Sequence, residues 1–135
     1  MSIRLSHTFL AVRDQDESLA FYRDVLGLEV VTDVMFDDFR WLALGSKELP
    51  GVEIVLEQVG MGNSADVDTL KSLLAKGSLK GVIFLVDDVD ATFERIRASG
   101  AEVLQEPIDQ PYGVRDCAFR DPSGNMLRFS EQLPS

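Results

Sequence analysis

The 135-residue chain has a single cysteine, a single histidine and a single tryptophan. Cys117 therefore has no partner for an internal disulfide, which agrees with a reducing compartment. It falls in an alternating stretch and reads as a small packed side chain. No apolar run approaches the roughly 18 residues of a membrane span, and the N-terminus lacks the pattern of a secretory signal, so a cytoplasmic location without membrane contact is expected. Positive charge is also scarce: 13 Lys and Arg stand against 23 Asp and Glu, a formal net charge of -10. Without clustered cations, nucleic acid and anionic lipid surfaces are poor partners. The acid excess would welcome a cationic small molecule, or it serves solubility alone.

What the chain does contain is an internal repeat. His7-Thr-Phe-Leu-Ala-Val-Arg-Asp14, followed by a helical pattern ending at Gly27, recurs as Gly81-Val-Ile-Phe-Leu-Val-Asp-Asp88, followed by a helical pattern ending at Gly100. Val52-Glu-Ile-Val-Leu-Glu57 recurs as Asn125-Met-Leu-Arg-Phe-Ser130. His7 thus matches Gly81, and Val55 matches Arg128. A chain of this length holds one domain in which two such modules share a core. Module one is expected over 1–59, a linker over 60–79 and module two over 80–135.

Strand alternation over Arg4 to Val12 places Ser6, Thr8, Leu10 and Val12 on one side and Leu5, His7, Phe9 and Ala11 on the other. Asp14 or Asp16 supplies an N-cap, and Leu19, Tyr22, Val25 and Leu26 recur at helical spacing. Leu28 to Val34, Phe39 to Leu44 and Val52 to Gln58 are β-rich runs. The second module repeats this order: a strand over Gly81 to Val86, a helix capped by Asp88 or Asp90, then strands at Ala101 to Gln105, Val114 to Arg120 and Asn125 to Ser130. Pro122-Ser-Gly124 makes the last turn. The linker has a short helical pattern around Asp66 to Leu74. Glu106 to Gly113, with Pro107 and Pro111, reads as an irregular loop, either a lid or dimer contact or a plain connection.

One side of the sheet strands is uniformly apolar and suited to lie under helices: Val52, Ile54 and Leu56, then Val82, Phe84 and Val86, then Leu127 and Phe129. The opposite side carries His7, Glu53, Val55, Glu57, Gly81, Ile83, Leu85, Asp116, Met126, Arg128 and Ser130. Such a mixture suits a ligand cavity better than a dry core, unless Arg128 with Glu53 or Glu57 forms an internal ion pair.

The paired β-α-β-β-β modules, the His7 opening, Phe21-Tyr-Arg-Asp-Val-Leu-Gly27 and Phe119-Arg-Asp-Pro-Ser-Gly-Asn125 resemble the vicinal oxygen chelate superfamily, which includes glyoxalase I, extradiol dioxygenases and bleomycin resistance proteins. The resemblance covers nearly the whole chain. It implies an α+β fold in which two tandem βαβββ modules form a curved, cup-shaped mixed sheet with helices on the convex face, commonly within a homodimer. In metal-using members the ligands come from the first and last strands of each module, which here are His7, Val55, Gly81 and Arg128. Val55 and Gly81 offer no donor and Arg128 is a permanent cation, so a divalent metal is not expected and no cofactor is predicted.

The closing segment Tyr112 to Glu131 is most similar to the metal-free, bleomycin-resistance-like branch, whose activity is sequestration of a drug. The first expectation is therefore a metal-independent small-molecule binding protein. Its ligand-binding residues would be His7, Trp41, Glu53, Glu57, Tyr112, Asp116 and Arg128, with Phe36 a further stacking candidate for a planar cation. The alternative is a superfamily lyase, dioxygenase or isomerase with a rearranged metal site or a metal-free site, using His7 or Glu57 as base. Packing remains the plain reading for Trp41, which shares a strand face with Phe39 and Ala43, and a structural role that for His7.

Overall fold

The computed structural model describes residues 1–61 and 65–135; residues 62–64, part of the expected linker, lie outside them. The chain forms two compact units, Met1–Leu74 and Ala75–Ser135.

In the first unit, β1 (His7–Val12) leads into α1 (Gln15–Ala20), which continues as a wide π-type turn over Phe21–Val25. β2 (Glu29–Phe36), β3 (Phe39–Gly45) and β4 (Glu53–Gln58) follow, and α2 (Val67–Ala75) closes the unit. The four strands lie in the order β1-β4-β3-β2, with β1 parallel to β4 and the other neighbours antiparallel. The second unit repeats this with β5 (Val82–Leu85), α3 (Val89–Ala98), β6 (Val103–Asp109), β7 (Val114–Arg120) and β8 (Met126–Gln132), in the order β5-β8-β7-β6. The architecture is α+β, two tandem βαβββ modules with mixed sheets and flanking helices.

Local chemistry explains the repeat. Asp14 caps α1 by accepting from the Glu17 N–H, and Asp88 caps α3 by accepting from the Ala91 N–H; Asp16 and Asp90 fall inside the first turns. The next free N–H in each helix, on Gln15 and Val89, donates to a side chain on the module's last strand, Gln58 in one case and Glu131 in the other. Two orphan donors per helix are thereby satisfied, and the helix start is fixed to the parallel strand pair. Leu10, Val12, Leu42, Leu44 and Leu56 are buried in the first unit, and Phe93, Ile96, Phe119, Leu127 and Phe129 in the second.

The stretch expected to be irregular is mostly strand. β6 runs through Glu106 and Pro107 to Asp109, leaving only a tight turn at 110–113. Pro107 is tolerated because β6 is an edge strand whose register shifts between Gln105 and Ile108, where no ladder N–H is required. No helix among the described residues is long and apolar enough to cross a membrane.

Candidate functional site

On the open side of the first sheet, His7 and Glu53 are register partners on the parallel pair β1 and β4. His7 Nε2 lies 3.5 Å from Glu53 Oε1, and Nδ1 is 2.9 Å from the Ser6 hydroxyl. The imidazole is therefore oriented from both sides, with 38% of its side chain still exposed. Its ring packs against Trp41 with centroids 5.8 Å apart, and Phe9 meets the same indole edge-on, also at 5.8 Å. Trp41 thus belongs to the open face, and the rings of β1 and β3 bridge β4 between them. Val55, in register with Phe9 on one side and Ala43 on the other, is buried beneath that bridge.

Glu57 pairs in register with Ala11 and makes no ion pair among the described residues, so the carboxylate placed beside His7 is Glu53. Phe36 stands exposed at the end of β2, and Tyr112 is exposed in the turn before β7; neither has an aromatic partner among the described residues.

The second sheet holds a different group. Arg128 Nη1 donates to Gln105 Oε1 at 3.0 Å and lies 3.3 Å from Asp116 Oδ2. Asp116 is buried, and its Oδ1 accepts from the Gln105 and Gln110 amides at 2.7 and 3.0 Å. Burial opposes ionisation of Asp116, but the hydrogen bonds from Gln110 and Gln105 and the charge of Arg128 outweigh it, holding the carboxyl below its usual range. The ion-pair partner of Arg128 is Asp116, on the neighbouring strand β7. Because Asp116 is buried and neutralised by Arg128, it supplies no free charge for a cationic ligand. Gln105 and Gln110 were missed in the sequence, since an uncharged amide on an edge strand or turn carries no pattern of its own.

The four positions that would carry metal ligands do not fit a metal ion. Val55 is a buried alkyl group and Arg128 is a cation tied to a carboxylate. Gly81 has no side chain, and a Cβ placed there would run into the Met126 carbonyl. Among the described residues, no three His, Cys, Asp or Glu side chains are grouped so as to hold a metal.

Paired βαβββ modules with an open, mixed polar and aromatic face define a small-molecule-binding architecture. Residues 4–129 match the Glyoxalase/Bleomycin resistance protein/Dioxygenase superfamily, and the chain belongs to it. A protein of Synechocystis sp. described as a probable lactoylglutathione lyase is 32% identical, over 93% of this chain and 92% of its own. Among solved structures, UcmS2 is 40% identical with a TM-score of 0.88, covering 96% of this chain and 98% of its own. TnmS3, an antibiotic binding protein from a Streptomyces species, is 27% identical with a TM-score of 0.76, covering 98% of each chain.

Proposed function

We propose that the chain is a superfamily enzyme of the lyase or isomerase type that moves a proton with His7 and Glu53 and does not draw on the family's metal set. The observation that carries this reading is the His7–Glu53 pair, on directly opposed strand residues, with the imidazole open to solvent and the carboxylate half-buried. The repeated likeness to lactoylglutathione lyases supports the enzymatic alternative over simple sequestration. In such a reaction the imidazole takes a proton from a carbon next to a carbonyl group and returns it to a neighbouring atom. Glu53 balances the imidazolium formed in between. With Nδ1–H donated to the Ser6 hydroxyl, Nε2 is the nitrogen that takes the proton. The Phe9 and Trp41 rings provide the apolar wall for the substrate body.

The test is turnover of lactoylglutathione and of simple α-hydroxycarbonyl compounds by chelator-treated protein, with and without added divalent metal. Turnover that survives the chelator and falls at least about 100-fold in His7→Asn supports the reading. Strict metal dependence overturns the metal-free assignment, and no turnover of any carbonyl compound overturns the enzyme.

A second reading, sequestration in the manner of the bleomycin-resistance-like branch, is favoured by one specific observation: a structural relative at 27% identity is an antibiotic binding protein. Trp41 is the only tryptophan, so its fluorescence reports directly on an aromatic ligand at this face. Saturable quenching without chemical change in the ligand supports this reading; an unchanged signal across a drug panel rejects it. A homodimer fits either reading. Val31 and Met35 on the edge strand β2 are 54% and 62% exposed, and apolar side chains of this kind call for cover. Sedimentation equilibrium decides it.

A further inference from the structure

We propose that the Arg128 guanidinium is a docking point for the carboxylate of a small organic acid whose apolar body lies on Ile83 and Leu85. The inference rests on reading the open sheet faces as small-molecule surface, and it names the ligand class for the second unit.

Arg128 uses only one corner of its fork within the protein. Nη1 meets both Gln105 Oε1 and Asp116 Oδ2, while Nε and Nη2 make no hydrogen bond among the described residues. Those two nitrogens form one planar edge whose spacing matches the two oxygens of a carboxylate. The edge is pre-organised, because Asp116 and Gln105 already hold the guanidinium, so less side-chain freedom is lost when a ligand binds. Asp116 offsets the guanidinium charge from the Nη1 corner alone, and its other oxygen, Oδ1, is occupied by the Gln105 and Gln110 amides. Recognition of a second carboxylate therefore rests on the two directional N–H donors of the Nε and Nη2 edge, which a neutral amide or a cation cannot match.

Its surroundings supply the rest of the specificity. Ile83 is the register partner of Arg128 across the parallel β5–β8 pair, and Leu85 is that of Ser130 two residues on. Both apolar side chains are largely exposed, at 68% and 71%. A hydrocarbon or aromatic body attached to the carboxylate would cover them and remove their apolar surface from water. The acidity of the whole chain points to cationic ligands, but it acts from a distance and is screened over about 8 Å at physiological ionic strength. The contact at Arg128 is made at hydrogen-bond distance, where the local cation decides.

The experiment is a titration of the full chain, followed by amide chemical shifts, with phenylacetate, the neutral phenylacetamide and the cationic phenethylamine. The expected result is shifts centred on β5 and β8, with the acid binding about ten-fold more tightly than the amide and the amine binding weakest. Arg128→Lys keeps a cation for Asp116 but loses the fork, and is expected to lower phenylacetate affinity about five-fold or more with little change in thermal midpoint. His7→Asn, which removes turnover under the proposed function, is expected to bind phenylacetate as the unaltered chain does, so failure of one reading is distinguishable from failure of the other. Equal affinity for acid and amide, tighter binding of the amine, shifts away from β5 and β8, no binding of the acid, or an unweakened Arg128→Lys would each overturn the proposal. If Arg128→Lys does not fold, the comparison of acid with amide on the unaltered chain decides.

Discussion

Arg40 and Arg115 occupy matching places in the two modules and make the same double contact. Arg40 on β3 grips Asp33 of β2 through Nε and Nη2, both at 2.9 Å, and reaches Asp16 of α1 at 2.8 Å. Arg115 on β7 meets Asp109 of β6 at 3.0 Å and Asp90 of α3 at 3.0 Å. Each arginine ties a hairpin to the first turn of a helix, where a carboxylate is already favoured by the helix dipole. The Arg40 clasp is bidentate and its side chain is 20% exposed against 31% for Arg115.

Arg40→Met is therefore expected to cost about 1 kcal/mol of stability and Arg115→Met less. Urea denaturation checks the order, and raising the salt concentration should narrow the gap between each variant and the parent. Equal costs, or a gap that widens with salt, would show that the clasps are not electrostatic.

Gly81 makes a sharper prediction, because the obstacle to a side chain there is backbone. A Cβ at this position meets the Met126 carbonyl, at the entry to the β5–β8 parallel pair. Gly81→Ala is expected to destabilise by about 1–3 kcal/mol, as overpacking does elsewhere. By the same reasoning, Gly81→His would not restore a metal ligand, since β5 must shift before the ring can be placed. Thermal denaturation and metal titration of the two variants provide the check. A Gly81→Ala protein as stable as the parent would mean that this strand entry yields freely.

The parts of this molecule that were legible in its sequence are those written by local periodicity. The repeat, the helix caps Asp14 and Asp88, and the alternation that sets His7 and Arg128 opposite Leu10 and Leu127 all follow from spacing within one segment. What could not be read depends on which strand lies beside which. Glu53, not Glu57, stands beside His7 because of the parallel register of β1 and β4. Trp41 reaches the rings of β1 because β4 alone separates β1 from β3. The strand through Pro107 was hidden for a related reason, since proline excludes a central strand but not an edge strand with a shifted register.

Asp116 sets a pH dependence whose sign can be worked out. Its folded-state pKa lies below the ordinary value, so the folded protein binds fewer protons there than the unfolded chain does. The resulting stability is fully present above the ordinary aspartate pKa of about 3.9 and is lost as pH falls through the lowered value. Asp116→Asn removes this contribution, so the stability difference between parent and variant is expected to shrink as the pH drops from about 5 toward 3. Other carboxylates titrate in the same range, but they cancel in the difference. A difference that stays constant across that window would separate the buried Arg128–Asp116 pair from the acid sensitivity of the fold.

Cys117, next along β7, tests how tightly this strand is packed. Its side chain is fully buried; burial pushes the thiol up to about 11, and the neighbouring Asp116 charge adds to the shift. Since the thiolate is the reactive form, both access and ionisation oppose modification in the folded state. A maleimide reagent near pH 7.5 is expected to leave folded protein unlabelled for hours and to label it fully within minutes in denaturant. The labelling rate at intermediate denaturant should follow the unfolded fraction, so that Cys117 reports on opening of β7 between β6 and β8. Arg128→Met, which leaves Asp116 buried without its cation, should raise that rate under native conditions. Rapid labelling of the folded parent would show that β7 opens far more readily than its buried neighbours Ala118 and Phe119 imply.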